Sequence, residues 1–114
     1  MTELLLAILI GVSQPQTPKI LPTETPQVTP VPIFDQIWGS IAPEARKIQW
    51  CESRGNPNAI DGIHIGLFQI DYKIWGKEYG VSRKELFDPE TNWRIGKKIY
   101  DRSNSWVLWS CTIN

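Results

Sequence analysis

One glutamate, Glu52, combines the position and the surroundings that acid catalysis requires. It follows Ile48 by four residues on a predicted helix, and it lies beside Trp50 and Cys51, residue types that are usually well buried. The last turn of a helix carries a partial negative charge, which disfavours an ionised carboxyl there. Burial acts in the same direction, so this carboxyl is expected to hold its proton near neutral pH. A glycosidic oxygen needs such a proton as it leaves; the alternative is a surface glutamate paired with Arg54.

Two further residues could take part in proton transfer. An inverting hydrolase uses a second carboxylate about 6.5–9.5 Å from the acid to activate water, and Asp61 could occupy that place. The alternative for Asp61 is a turn aspartate that caps its own backbone, because a glycine follows it. His64 is the only histidine, and it lies between Ile63 and Ile65. Alternation along a strand predicts an exposed polar position for it rather than a general base.

The two cysteines, Cys51 and Cys111, are expected to form a disulfide bond. The bond would close a loop of about 60 residues, for which chain entropy gives a stabilisation on the order of 4 kcal/mol. Small domains in oxidising compartments often need such a crosslink. The alternatives are buried free thiols and a catalytic cysteine, and for the latter nothing marks a cysteine–histidine pair.

Charge and composition exclude several classes of function. Twelve basic and twelve acidic residues give a formal charge of zero, which argues against a sequence-blind nucleic-acid binder. Two cysteines and one histidine are too few for the usual structural zinc sites, and no metal or organic cofactor is expected because no ligand cluster is visible. No apolar run reaches the roughly 18–20 residues that span a bilayer as a stable helix.

The chain divides by composition into three segments. Residues 1–14 contain the apolar run Leu4–Val12, which is typical of a signal peptide although no basic residue precedes it. The alternative for this segment is a hydrophobic N-terminus or a truncated membrane anchor. Residues 15–32 hold six of the nine prolines, with threonines between them, and are predicted to form an extended linker. Residues 33–114 contain all six tryptophans and are expected to form one folded domain.

The folded domain is predicted to be mainly helical, with one small β-element. Apolar residues at helical spacing predict a short helix over residues 33–39. Pro43 opens a second helix, which should end near Ser53 because Gly and Pro follow at once. The Gly-punctuated, β-branched residues 59–70 predict a short hairpin or an irregular loop.

Two capping signals predict where the second half of the domain becomes helical. Ser82 and Glu85 have the spacing of a capping box. Asp88 and Pro89 have the order of a helix N-cap followed by the first helical residue. The helix that starts there is expected to pack through a face containing isoleucine, glycine and aromatic residues.

Three segments in register resemble a known family. The letters CESRGNPNAI at residues 51–60 are followed by GLFQI at residues 66–70, and by LFDPETN at residues 86–92. Together they resemble the soluble lytic transglycosylase (SLT) domain of the lysozyme-like superfamily, which places a catalytic glutamate in an E-S-x-x-N-P-x-A segment. The terminal W-x-x-W-x-C at residues 106–111 is similar to the compact resuscitation-promoting-factor branch. The resemblance implies a small α+β lysozyme-like fold in which the hairpin or loop forms one side of a cleft.

The resemblance also implies a role for each residue that matches a family motif. Glu52 matches the catalytic acid, Ser53 the serine beside it, and Gln69 the glutamine whose side chain contacts the glycan. Tyr100 is the nearest candidate for the tyrosine of the third family motif, although the usual A-Y-N segment is absent and a core position is the alternative. The floor of the cleft is matched by Gly66, Leu67, Phe68 and Ile70.

The aromatic residues could either stack on sugar rings or fill the core. We expect three tryptophans in the core: Trp38, Trp50 and Trp93. Positions nearer a groove are expected for Tyr72, Trp75, Trp106 and Trp109.

The function implied by the resemblance is cleavage of peptidoglycan at the β-1,4 bond between N-acetylmuramic acid and N-acetylglucosamine. In such lytic transglycosylases, one glutamate acts first as acid and then as base. The alternatives are a lysozyme-type hydrolase that uses Asp61 as second carboxylate, and a wall-binding module without turnover. The expected partner is the peptidoglycan glycan strand. The protein is expected to be a monomer, secreted or held in the cell envelope, and encoded by a bacterium or a phage.

Overall fold

The computed structural model describes residues 29–111, and within them it shows a helical domain with one small sheet. The predicted fold class, mainly α with a short β-element, is confirmed. The signal-peptide interpretation of residues 1–14 and most of the predicted linker lie outside the described residues. The helices are α1 (Ile33–Trp38), α2 (Ala42–Ser53), α3 (Lys77–Tyr79) and α4 (Pro89–Ser103). The antiparallel strands are β1 (Ile60–Asp61), β2 (His64–Ile65) and β3 (Ile70–Asp71).

The first two helices lie within one residue of the bounds that their sequence signals predict. A proline in the first turn of α2 needs no backbone donor there, and Arg54 ends the helix in the left-handed conformation with φ of 56°. Ala45 and Ile48 face the core of the domain. The assignment of Trp50 to the core is wrong, because this residue follows Ile48 by two positions and therefore faces solvent, with its side chain 60% exposed.

The capping box at Ser82 forms as predicted, but it opens only one turn of 3-10 helix, Glu85–Phe87. The Ser82 hydroxyl accepts a bond from the Glu85 backbone N–H at 3.0 Å, and the Glu85 carboxylate accepts one from the Ser82 N–H at 2.8 Å. The turn stops because Asp88 precedes a proline and takes an extended conformation, with ψ of 125°. Asp88 then caps α4 by accepting a bond from the Thr91 N–H at 2.9 Å, as its position predicts.

The sheet has two faces of different character. In register across its three strands lie Ile60, Ile65 and Ile70 on one side, and Asp61, His64 and Asp71 on the other. Ile65 and Ile70 are buried in the core, where Phe68 packs against Trp38 with ring centroids 4.9 Å apart. Asp61, His64 and Asp71, which we call the polar row, lie on the opposite side of the sheet, outside the core. Among the described residues no helix has both the length and the apolar character that crossing a membrane requires.

Candidate active site

Glu52 lies in the last turn of α2, where the C-terminal segment of the described chain reaches back to it. Its Oε2 accepts a bond from the Ser110 hydroxyl at 3.2 Å and another from the Cys111 backbone N–H at 3.1 Å. Cys51 and Cys111 form the expected disulfide, with Cα atoms 6.1 Å apart. The crosslink therefore holds two hydrogen-bond donors against one carboxylate oxygen.

The other carboxylate oxygen, Oε1, has no hydrogen-bond partner within residues 29–111. The Glu52 side chain is half-buried rather than enclosed, since its neighbours Trp50 and Cys51 face solvent. One oxygen is thus fixed by the protein, and the other is available to a ligand.

A cavity of about 230 Å³ lies beside Glu52. Its walls come from the end of α2, from the polar row of the sheet, from the loop before β3 and from the C-terminal segment. The lining residues are Glu52, Asp61, His64, Gln69, Leu108, Trp109 and Ser110. Asp61 and Gln69 therefore share a cavity with the predicted acid.

A second cavity, of about 170 Å³, adjoins the first and shares His64, Gln69 and Leu108 with it. Its remaining lining comes from β3, α4 and the π-helical turn Tyr72–Gly76, namely Ile70, Asp71, Ile74, Trp75 and Ile99. We call the two cavities together the groove. A groove longer than one cavity is the shape that an extended polymer needs.

The backbone at Gln69 is left-handed, with φ of 49°, and the side chain is anchored at its own loop. Nε2 donates to the carbonyl oxygens of Gly66 and Ala59, at 2.9 and 3.2 Å. Because carbonyl oxygens only accept, these two bonds fix the orientation of the amide and leave its Oε1 as the acceptor. Gln69 can therefore meet a ligand with a carbonyl oxygen in a fixed position.

Asn92, which the sequence analysis gave no role, holds the loop that carries Gln69. It is fully buried on α4; its Oδ1 accepts from the Phe68 N–H at 2.8 Å, and its Nδ2 donates to the carbonyls of Ile65 and Leu86 at 3.0 and 2.8 Å. The signal for this role in the sequence was a polar residue on the buried face of an amphipathic helix, three residues before Ile95. The polar groups of such a residue must form hydrogen bonds inside the protein, so the residue marks a place where the helix holds a neighbouring segment.

Glycine is required at position 66 for the same clamp. Gly66 has φ of 75°, and a Cβ there would lie 2.6 Å from the Leu86 carbonyl oxygen and closer still to the Asn92 amide. On the other side of the loop, the Trp109 indole Nε1 donates to the Phe68 carbonyl at 2.9 Å. Phe68 is thus bonded to α4 through its N–H and to the C-terminal segment through its carbonyl.

Several residues predicted for the site lie away from the groove. The Ser53 hydroxyl donates to the Gln49 carbonyl at 3.1 Å and accepts from the Gly55 N–H, which closes the end of α2. Tyr72 lies under the guanidinium of Arg83, 5.8 Å from its ring centroid. Neither side chain lines the groove.

Tyr100 and Trp106 pack against each other, with ring centroids 4.6 Å apart, and Trp38 contacts both rings. The Trp106 indole donates to Glu44 at 3.0 Å. The structure places this aromatic cluster outside the groove lining, whereas Trp75 and Trp109 lie in it, as expected. Gly66, Leu67 and Phe68 are buried beneath the groove, and Ile70 lines its second cavity.

Three residues that line the first cavity were not among the predicted site residues: His64, Leu108 and Ser110. The last two come from a segment more than 50 residues after Glu52, and only the disulfide pairing linked the two regions in the sequence. Among residues 29–111, no group of three or more His, Cys, Asp or Glu side chains is arranged to hold a metal ion.

Comparison with known families shows one match, which covers most of the described domain. The family model described as the transglycosylase SLT domain matches residues 35–109, which include all of α1 except its first two residues, α2 to α4, the sheet and most of the groove. Searches of curated proteins and of solved structures find no match.

Proposed function

Because the chain belongs to the transglycosylase SLT domain family, we propose that it is a lytic transglycosylase that cleaves peptidoglycan between N-acetylmuramic acid and N-acetylglucosamine. Membership of this family supports an activity that cleaves glycosidic bonds in peptidoglycan. The observation that carries the finer proposal is the position of Glu52, which faces a cavity shared with Gln69 and keeps one oxygen unbonded.

Glu52 acts as the acid in the first step. Its Oε1 gives a proton to the leaving glycosidic oxygen as the bond from that oxygen to the anomeric carbon breaks. The carboxylate that remains is stabilised at Oε2 by the Ser110 hydroxyl and the Cys111 N–H. Two fixed donors at the oxygen that gains charge lower the cost of the proton transfer.

Glu52 acts as the base in the second step. It takes the proton of the 6-hydroxyl of the same muramic acid while the hydroxyl oxygen bonds to the anomeric carbon. The product is a 1,6-anhydro ring, and the glutamic acid is protonated again for the next cycle. Gln69 Oε1, held by the two bonds of its amide nitrogen, accepts a hydrogen bond from the glycan and keeps the ring in place.

Substitution of the acid tests the proposal. We expect Glu52→Gln to reduce release of soluble muropeptides from purified peptidoglycan by about 10²–10⁴-fold, the range for loss of a general acid. Mass spectrometry of the wild-type products should show anhydro-muropeptides. Glu90→Gln, an equal charge change at an exposed residue paired with Arg94, is the matched control and should keep wild-type activity. Equal release by Glu52→Gln and wild type would refute the proposal.

A second candidate function is hydrolysis by an inverting mechanism, with Asp61 activating water. The observation that favours it is that Asp61 lines the same cavity as Glu52. The product distinguishes the two reactions, because a hydrolase leaves a reducing end in place of the anhydro ring. In that case Asp61→Asn should lose activity as completely as Glu52→Gln. If the wild type binds walls and releases no product at all, the domain is a binding module.

We further propose that the enzyme works outside the cytoplasm, with residues 1–14 as signal peptide and residues 15–32 as a tether for the domain. The disulfide Cys51–Cys111 supports this location, because such bonds persist in oxidising compartments. The intact mass of the secreted protein tests both parts, since it reports cleavage near Ser13 and the loss of two hydrogens together. A secreted protein of full-length mass would contradict the signal peptide.

A further inference from the structure

A further depression, of about 390 Å³, lies between α1 and α4, and its charged lining is entirely basic. Gln36 and Ile37 of α1 form one side, and Arg94, Lys97 and Lys98 of α4 form the other. No residue of this lining also lines the groove. Its volume lies in the range that small ligands occupy, so it can receive a group much larger than a water molecule.

The three cations of the depression lie on one face of α4. Arg94, Lys97 and Lys98 have i, i+3 and i+4 spacing, which places their side chains next to each other on the helix surface. Arg94 and Lys98 are exposed, and Lys97 is half-buried. Like charges at such distances repel one another, and an anion held between them relieves this repulsion.

The acidic partners of two of these cations lie along the helix rather than in the depression. Arg94 is paired with Glu90 and Lys97 with Asp101, both at 2.8 Å and each one helical turn away. Neither acid contributes to the lining. Lys98 forms no ion pair with a carboxylate of residues 29–111. Exposed ion pairs are weak in water, so an incoming anion can compete with the two acids for their partners.

The groove has the opposite character. Its lining contains Glu52, Asp61 and Asp71, and no lysine or arginine of residues 29–111. The chain as a whole has equal numbers of basic and acidic residues, so the difference between the two surfaces results from segregation of charge. A strongly anionic polymer is therefore expected at the depression and not in the groove.

We propose that the depression is a docking surface for a phosphodiester polymer of the cell wall, a chain of polyols joined by phosphate groups. Phosphate oxygens accept hydrogen bonds from all three cations, and the planar guanidinium of Arg94 can bind two of these oxygens at once. Because the two linings share no residue, the polymer and a glycan strand can be bound at the same time. The choice of a wall polymer rests on the proposed function, whereas docking itself needs no catalysis.

The lining of the depression favours a polymer chain over the surface of an anionic membrane. Binding to a membrane interface depends on apolar side chains that are buried in the lipid beside the cations. The lining has one apolar residue, Ile37, which is half-buried and packs against the core of the domain. A chain can place successive phosphates against the cations, and weak contacts gain strength along a polymer with many repeats.

Calorimetric titration of the full chain with a soluble polymer of glycerol phosphate measures the docking directly. Each exposed ion pair changes a dissociation constant by a factor of roughly 1.4–5, so three pairs correspond to roughly 3- to 150-fold. A variant in which Arg94, Lys97 and Lys98 are all replaced by glutamine should bind the polymer weaker by this factor at low salt. The difference should shrink as salt is added, because exposed charges are screened.

Two further variants show whether the depression itself is responsible. Lys98→Gln removes one cation without breaking an ion pair within residues 29–111, so it should weaken binding by a factor of roughly 1.4–5 with α4 unchanged. The matched control removes three charges at exposed lysines outside the depression and should bind the polymer like the wild type. The substitutions of this control are Lys47→Gln, Lys77→Gln and Lys84→Gln.

Three results would overturn the docking proposal. The first is equal binding of the polymer by the wild type and the variant without the three cations. The second is an equal loss in the control variant, which would mean that only the total charge matters. The third is binding to vesicles of phosphatidylglycerol without binding to the polymer, which would assign the depression to a membrane.

Muropeptide release from walls stripped of phosphate polymers by hydrofluoric acid separates this inference from the proposed function. The variant without the three cations should release products from these walls at the wild-type rate, because its groove is unchanged. If the wild type binds the polymer and releases no product, docking stands and the proposed catalysis fails. If it releases product and does not bind the polymer, docking alone fails.

Discussion

Replacement of Asn92 by alanine should remove most of the stability of the domain. The side chain satisfies three buried backbone groups: the Phe68 N–H and the carbonyls of Ile65 and Leu86. A buried group left without its partner costs about 1–3 kcal/mol, so three of them cost roughly 3–9 kcal/mol. A domain of about 80 residues has a total stability of roughly 4–12 kcal/mol. Water entering the vacated space would bring the loss towards the lower end of the range.

Replacement by aspartate distinguishes hydrogen bonding from packing, because the shape of the side chain is almost unchanged. An aspartate at position 92 still accepts from the Phe68 N–H, but its second oxygen faces the Ile65 and Leu86 carbonyls, which are acceptors. Repulsion between acceptors and burial of a charge should make Asn92→Asp at least as unstable as Asn92→Ala.

Urea denaturation followed by circular dichroism measures these changes. Asn58→Ala is the matched control, since Asn58 is exposed and only its backbone is bonded, and it should change stability by less than about 0.5 kcal/mol. A loss below about 1 kcal/mol for Asn92→Ala would refute the argument, because a single unsatisfied group already costs that much. So would wild-type stability of Asn92→Asp.

Three further predictions concern the crosslink, the loop and a helix cap. Replacing Cys51 and Cys111 together with serine should lower the free energy of unfolding by about 4 kcal/mol, by the chain-entropy argument. The same change should reduce the activity of the protein that stays folded, because the Cys111 backbone N–H donates to the predicted acid. Thermal unfolding measures the first effect, and muropeptide release measures the second. Stability that falls by less than about 1 kcal/mol would contradict the first part. Gly66→Ala should lose about 2–4 kcal/mol through its left-handed φ and the clash with the Leu86 carbonyl, whereas Gly62→Ala, with open space around its Cβ, should lose less in the same urea assay. Hydrogen bonds from the backbone and hydroxyl of Thr91 hold the pKa of Asp88 below its usual value, so the stabilisation by this cap is present at neutral pH and is lost as the pH falls through the lowered folded value. The melting temperature of Asp88→Asn should accordingly fall less than that of wild type between about pH 5 and pH 2, and parallel curves would contradict this assignment.

Elements governed by local signals could be predicted from the sequence. Pro43 and Asp88-Pro89 mark the starts of α2 and α4, since a proline in the first turn and an aspartate N-cap act within a few residues. The glycines and β-branched residues among residues 59–70 predicted a short hairpin or an irregular loop, and residues 60–71 form three short strands. The 3-10 turn at Glu85 differs from a full helix because of Pro89, which is also a local effect.

The walls of the groove could not be predicted in the same way, because they depend on contacts between distant residues. Ser110 meets Glu52 across 58 positions, and Asn92 meets Phe68 across 24. Residue types alone gave no indication of which hydrogen-bond donors and acceptors would be without a partner inside the protein. His64 illustrates this: alternation correctly makes it an exposed polar residue of β2, yet only the folded chain shows that its polar row forms a wall beside the predicted acid.

The C-terminal segment connects the two sides of the groove. Trp109 bonds to the loop that carries Gln69, and the next two residues bond to Glu52. The disulfide at Cys111 then fixes this segment to α2, beside the acid. A shift of the segment would therefore move both Glu52, the proposed acid, and Gln69, which is proposed to orient the glycan, whereas a crosslink elsewhere could stabilise the fold without controlling either. In a domain this small, the same covalent bond can serve folding and the geometry of the site, because the site is built on the residues that the bond joins.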